Sequence, residues 1–214
     1  MKITMIILSL FSLVSLSACA FKENKASELE TLANNYGGIY IFDKKIREEI
    51  LELEKKREEF RSKYLGSEIK VGNETNFVNF SYLKKKFPQV LSNGCKYYRS
   101  DYRYKGKADF GFKDKPEFAY YEDQFKAYMG EENYKKLRPY LGMITYYVCE
   151  GKKYPVVFAT MIDYKVKSYG LFGDEGRGFS FSSISRKSAG GGSFHYFTNN
   201  KFIKSDEKYN LERY

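Results

Sequence analysis

The sequence predicts an α+β protein, in which an N-terminal amphipathic helix precedes a largely antiparallel β-sheet domain with inserted short helices. Apolar residues recur every three or four positions between 44 and 65, which is typical of one helix face. Between 155 and 166 they alternate with other residues, which is typical of a half-buried strand. Turn-forming residues separate several further short runs of strand-forming residues, and together these patterns favour a sheet.

The first eighteen residues have the order of a secretory signal. Lys2 precedes an apolar run over 3–14, which is shorter than the roughly 20 residues that a membrane-spanning helix needs. The run closes with Leu16-Ser17-Ala18-Cys19, which resembles the lipobox of bacterial lipoprotein precursors. The resemblance implies cleavage after Ala18 and diacylation of Cys19. The alternative is an ordinary signal cleaved nearby, with Cys19 incidental.

The resemblance also implies a location. Two or three acyl chains hold a protein stably on a bilayer, whereas one chain holds it only marginally. Ala20, and not an aspartate, follows the cysteine, and this resembles the pattern of lipoproteins sent to the outer membrane. We therefore expect a lipid-anchored protein of the cell envelope, at the outer membrane and facing the periplasm.

The chain is basic, with 37 Lys and Arg against 27 Asp and Glu, a net charge of +10 at pH 7. Nucleic acid is the usual partner of so basic a protein, but an exported protein rarely meets it, so we expect no nucleic-acid partner. Anionic lipid, a cell-wall polymer or an acidic protein fits this charge better. A solvated basic surface without a dedicated partner is the alternative.

Besides Cys19, the chain has two cysteines, Cys95 and Cys149. Export leads to an oxidising compartment, so an even pair predicts a disulfide. With one histidine and no CxxC motif, the sequence predicts neither a metal site nor a cofactor.

The helix over 44–65 is the clearest local element. Asp43 can cap its start and Gly66 can end it. Its apolar stripe predicts either a coiled-coil arm for self-association or, as we favour, a helix packed on its own domain. Upstream, Ser27-Glu28-Leu29-Glu30 has the capping-box form and predicts a short helix that ends at Gly37-Gly38.

From residue 67 onward the sequence predicts short strands and helices. The strands are predicted over 68–71, 77–80, 95–104, 108–112, 143–149, 155–166, 179–186, 194–198 and 201–204, and the helices over 82–91, 117–129 and 131–138. A glycine-rich loop is predicted over 188–193. The predicted organisation is a signal peptide over 1–18, a lipid-anchored tether with a short helix over 19–42, the amphipathic helix over 43–66 and the α+β domain over 67–214.

The sequence offers little for catalysis, and we predict no catalytic residue. His195 is the one histidine, and Ser193 lies two residues away on a predicted strand without a G-x-S-x-G elbow. The carboxylate pairs Glu122-Asp123 and Asp174-Glu175 lack the pattern of a specific acid/base site.

Aromatic and basic residues interleave over 96–105. In an exported protein such a stretch indicates a saccharide or an acidic protein surface as partner, while a merely charged strand face is the alternative. The candidate binding residues of this stretch are Tyr97, Arg99, Tyr102 and Arg103.

Three C-terminal segments, 147–151, 188–191 and 202–207, resemble those of the lipid-anchored inhibitors of c-type lysozyme. That family has a Tyr-x-Cys strand, a Ser-Gly-rich loop and a later aromatic-x-x-Lys segment. The resemblance implies an inhibitory serine and lysine near Ser188 and Lys204, with Gly190 and Gly191 in a loop that enters the enzyme's cleft.

We therefore predict a lipid-anchored envelope protein that binds a protein or cell-wall polymer and catalyses no reaction. An inhibitor or immunity-type protein against a cell-wall hydrolase is the favoured form. The alternatives are a structural or assembly lipoprotein of an envelope complex and a peptidoglycan-acting hydrolase. The sequence leaves the oligomeric state open.

Overall fold

A computed structural model describes residues 21–22, 24–99, 116–174, 176, 178–190 and 192–208. In this part of the chain, five helices and ten strands confirm the α+β class. The helices are α1 (Asn24–Tyr36), α2 (Lys44–Tyr64), α3 (Phe80–Lys86), α4 (Pro116–Met129) and α5 (Glu131–Leu137). The strands are β1 (Phe21–Lys22), β2 (Gly38–Ile41), β3 (Glu68–Val71), β4 (Glu74–Phe77), β5 (Lys96–Arg99), β6 (Tyr140–Cys149), β7 (Lys152–Asp174), β8 (Gly178–Gly190), β9 (Ser193–Thr198) and β10 (Lys201–Lys208).

The main sheet has eight strands in the order β10-β9-β2-β7-β6-β5, with β1 and β8 also paired to β7. β2 runs parallel to β9, and Tyr40 lies opposite His195 in that pair. The sheet is therefore mixed, not purely antiparallel as a chain of hairpins would make it. The parallel pair arises because β2 lies between β7 and β9 in the sheet. The sequence pattern predicts no strand over these four residues, Gly38–Ile41.

The long strand β7 is the centre of the sheet. It extends the predicted strand over 155–166 in both directions and pairs with β1, β2, β6 and β8. The strand predicted over 179–186 continues as β8 to Gly190, into the segment predicted as a glycine-rich loop, and β8 returns along the second half of β7. A long β7–β8 hairpin results.

Helix α2 begins where the sequence predicts, because the Asp43 side chain accepts a hydrogen bond from the Ile46 backbone N–H at 2.9 Å. Ile46, Ile50 and Leu53 pack on one face of the sheet, in a cluster with Val157. Later along the stripe, the Phe60 ring contacts rings of its own chain, those of Tyr64, Tyr82 and Phe87. The helix thus packs on its own domain, and the stripe is covered by the chain itself.

The opposite face of the sheet is covered by α1, α4 and α5. Under α4 lies an aromatic core, whose buried members are Tyr40, Phe118, Phe125, Phe158 and Phe202, together with Met143. Farther along β7, α1 and α5 contribute Ala33 and Leu137 to a second cluster with Ile162 and Val166. Tyr164 is also buried in this cluster, so aliphatic and aromatic side chains both cover this half of the sheet.

Cys95 and Cys149 form the predicted disulfide, with Cα atoms 5.0 Å apart, a separation that disulfides commonly span. The bridge joins the turn before β5 to the end of β6. Among the described residues, no helix is long and apolar enough to cross a membrane.

Candidate binding groove

The strand β5 pairs antiparallel with β6, and its successive side chains point to opposite faces of the sheet. Tyr97 faces inward and is only 2% exposed, and its hydroxyl donates a hydrogen bond to Glu54 at 2.8 Å. Burial, together with this bond to a carboxylate, raises the pKa of Tyr97. Strand alternation places the Tyr97 ring in the core, so little of this side chain is open to a partner.

Tyr97 borders an open groove of about 220 Å³. Three separate elements form it: the second half of α2, the end of α3 with the segment after it, and β5. Its lining residues are Arg57, Lys84, Phe87, Pro88, Gln89, Val90, Lys96, Tyr97 and Tyr98, and we call it groove 57–98. The buried side chain of Leu83 fixes α3 against the domain, and this holds Lys84 and Phe87 at the groove.

The charges in groove 57–98 are partly neutralised by one acid. Glu54 accepts hydrogen bonds from Tyr97 and, at 3.3 Å, from the side-chain amide of Gln89, and its carboxylate lies 3.6 Å from the Arg57 guanidinium. Lys84 and Lys96 are exposed and make no ion pair within the described part of the chain. The groove therefore offers positive charge to a ligand.

The other lining side chains are apolar or aromatic. Phe87, Pro88 and Val90 give a hydrophobic wall, and the Tyr98 ring, 41% exposed, stacks on Tyr146 with centroids 5.1 Å apart. Cations beside an apolar wall suit a ligand that carries a carboxylate next to a ring or an aliphatic group. This combination makes groove 57–98 a candidate binding site.

Sequence reasoning missed most of this site. Arg57, Lys84 and Phe87 lie on elements that are distant along the chain, and no local pattern marks them as neighbours. Of the residues that the sequence did select, Arg99 is half-buried at the end of β5. Tyr102 and Arg103 lie outside the described residues.

The residues selected by resemblance to the lysozyme inhibitors do not come together. Lys204 lies opposite His195 on the neighbouring strand, and the His195 ring stacks on Tyr40, so Lys204 shares the face that α4 covers. Ser188 lies opposite Asp163 on β7 and its hydroxyl contacts that carboxylate.

The strand register shows that Ser188 and Lys204 point to different faces of the sheet. Tyr40, which shares the face of Lys204, lies opposite Phe158 of β7, whereas Ser188 lies opposite Asp163 of β7. Phe158 and Asp163 are five residues apart, and an odd spacing along a strand places two side chains on opposite faces of the sheet. The serine and the lysine therefore cannot enter one cleft together. Gly190 is the last residue of β8, where a loop was expected, and Gly191 and the predicted lipidation site Cys19 lie outside the described residues.

His195 is fully buried and stacks on Tyr40, with ring centroids 4.2 Å apart and planes 7° from parallel. Its Nδ1 lies 3.2 Å from the Tyr128 hydroxyl, and its Nε2 makes no hydrogen bond to any described residue. Burial, reinforced by the charge of Lys204, lowers the pKa of His195 to about 4, although the Gly37 backbone opposes this shift. A ring without solvent access supports packing and not proton transfer to a substrate.

Fold and groove together define an α+β domain with an internal disulfide and a basic, partly aromatic groove. Comparison of the chain with protein-family models, curated proteins and solved structures gives no match. Within the described ranges, no three His, Cys, Asp or Glu side chains cluster as a metal site would require.

Proposed function

We propose that the chain is a lipid-anchored binding protein of the bacterial cell envelope, tethered through Cys19 at the outer membrane and facing the periplasm, with no catalysis of its own. The lipobox-like segment supports the anchor, and the Cys95–Cys149 disulfide is consistent with an oxidising compartment. The burial of His195 supports a binding role, since it removes the one histidine from contact with substrates.

Groove 57–98 is the observation that carries the binding proposal. It takes an acidic segment of a protein partner, whose carboxylates meet Lys84 and Lys96 while an adjacent apolar side chain packs on Phe87 and Pro88. The resemblance to inhibitors makes a cell-wall hydrolase the first partner class to test. The groove then serves as the contact surface in place of a Ser188–Lys204 pair.

The test measures how fast a peptidoglycan suspension clears, with residues 20–214 present or absent and with or without a c-type lysozyme. We expect the protein to leave the suspension turbid by itself and to slow clearing by the enzyme. Lys84→Glu/Lys96→Glu should require about tenfold more protein for the same protection, because two attractive contacts become repulsive. Lys70→Glu/Lys201→Glu, with the same change in net charge at exposed sites outside the groove, should protect like the parent.

Other outcomes have definite meanings. Clearing without lysozyme would contradict the non-enzymatic role and favour the hydrolase alternative. Loss of protection in Lys204→Ala, with the groove variant active, would place the contact where the resemblance puts it. Absence of protection by the parent protein would overturn the inhibitor role and favour the assembly-lipoprotein alternative.

A further inference from the structure

The β7–β8 hairpin extends past the rest of the sheet. Beyond Met161, where β6 ends its pairing, the described strands that pair with β7 are β8 and, for two residues, β1. We call residues 162–190 the arm. Its base is covered by α1 and α5 through Ile162, Tyr164 and Val166, which are buried.

The outer half of the arm exposes large apolar side chains. Phe179 is 66% exposed and Phe181 80% exposed, and they alternate with Ser180, so both point to one face. Leu171 lies in the irregular segment of β7 opposite Phe181 and is 64% exposed. Soluble proteins rarely expose several large apolar groups side by side unless the patch has a function.

The position of the N-terminal strand indicates what covers this patch. β1 pairs antiparallel with β7, with Phe21 opposite Tyr169 and Lys22 opposite Ser168, so the chain meets the outer half of the arm directly after the lipobox-like segment. One residue, Ala20, lies between Cys19 and Phe21, and the two steps of extended chain from Phe21 to Cys19 span at most about 7 Å. An acyl chain on Cys19 would therefore enter the bilayer beside the exposed apolar patch.

The charge of the arm agrees with a lipid surface. Lys187 is exposed and lies six residues from Phe181 on β8, so strand alternation places it on the same face as Phe179 and Phe181, whereas Lys165, Lys167 and Arg186 lie on the opposite face. A basic group on the face of exposed aromatic and aliphatic side chains is typical of interfacial membrane-binding surfaces, and the basic groups of the opposite face add attraction to anionic lipid over a longer range. β7 ends at the acidic residue Asp174, so the arm should lie flat in the head-group region and not enter tip first.

From these observations we propose that the arm lies on the same bilayer that holds the anchor, with Phe179 and Phe181 inserted at the lipid interface. The inference rests on the proposed acylation of Cys19 and adds a second, non-covalent contact to it. Membrane contact at the arm would orient the domain and fix which surfaces face a partner.

The chain has no tryptophan, so a single introduced tryptophan reports on its own surroundings. Phe181→Trp is the test variant, and Phe80→Trp, at a ring that is 62% exposed on α3, is the matched control. Both are prepared as full lipoproteins in vesicles of phosphatidylethanolamine and phosphatidylglycerol. The fluorescence of each is measured with and without brominated acyl chains, which quench tryptophans that reach the interior of the bilayer.

We expect brominated lipid to quench Phe181→Trp several-fold more strongly than Phe80→Trp, with a blue-shifted emission in the former. Equal or absent quenching in two vesicle-bound proteins would overturn the arm proposal and leave the anchor intact. Blue-shifted emission of Phe181→Trp without lipid would also overturn it, because another protein surface would then cover the arm. Failure of both proteins to stay on the vesicles would instead contradict the acylation.

Discussion

His195 shows how a single buried side chain sets a pH dependence. The ring is neutral in the folded protein because burial lowers its pKa to about 4, whereas in the unfolded chain it regains an ordinary pKa near 6.5. Between these values the unfolded state binds more protons than the folded state. The stability that depends on neutral His195 is therefore fully present above about pH 6.5 and is lost as the pH falls toward 4.

His195→Phe keeps a ring beside Tyr40 and removes the titrating group. Between pH 7 and pH 4, the free energy of unfolding of the parent should fall by up to about 3 kcal/mol more than that of the variant. This amount corresponds to the difference between the pKa of His195 in the unfolded and in the folded state. Urea unfolding at both pH values measures the difference. The same pH dependence in parent and variant would show that other groups control acid unfolding.

In the lining of groove 57–98, two adjacent residues differ in burial because of strand alternation. Tyr97 and Tyr98 are adjacent in the sequence, but strand alternation buries the former and exposes the latter. Glu54 ties Tyr97, Gln89 and Arg57 together beneath the groove. Lys84 and Lys96 are thus the cations that a ligand can reach without breaking an existing contact.

At the scale of elements, the Cys95–Cys149 disulfide fixes β5 to the end of β6, with 54 residues of separation between the two cysteines. In the chain-entropy account, a closed loop of this length stabilises the fold by about 4 kcal/mol. Both cysteines also pack in the hydrophobic cluster under α2. The bridge therefore supports the wall of groove 57–98 that β5 provides.

Cys95→Ala/Cys149→Ala should lower the free energy of unfolding by about 4 kcal/mol, because the unfolded chain regains the freedom that the loop removes. Urea unfolding with and without dithiothreitol measures the change. Reductant should lower the midpoint of the parent and leave that of the variant in place. A parent protein that reductant does not affect would show that the bridge contributes no stability.

At the scale of the whole molecule, the proposed lipid anchor at Cys19 would decide where the domain acts. Cys19→Ala removes the sulfur that the acyl chains would occupy, and we expect the exported protein to move from the membrane to the soluble fraction. Cell fractionation measures the distribution. Cys95→Ala replaces a cysteine without touching the anchor and should remain with the membrane; retention of Cys19→Ala there would contradict the lipoprotein proposal.

The whole-molecule charge of +10 has a related consequence. A basic domain held close to a membrane is attracted to anionic lipid, and this attraction supports contact at the arm. The same charge favours acidic protein partners over basic ones. Both effects weaken with added salt, because screening shortens the range of exposed charges.

The sequence alone determined the features that rest on local physics. The stripe and capping residue of α2 define that helix, the alternation over 155–166 defines the core of β7, and the even pair of cysteines predicts the disulfide. Each is readable because the residues concerned act on near neighbours or have a single available partner.

Only the tertiary structure decided the rest. The parallel pairing of β2 with β9, the assembly of groove 57–98 from three elements and the separation of Ser188 from Lys204 all depend on contacts between residues far apart in the chain. Sequence patterns report the periodicity of one segment, whereas sheet order and facing arise when distant segments bury their apolar faces together.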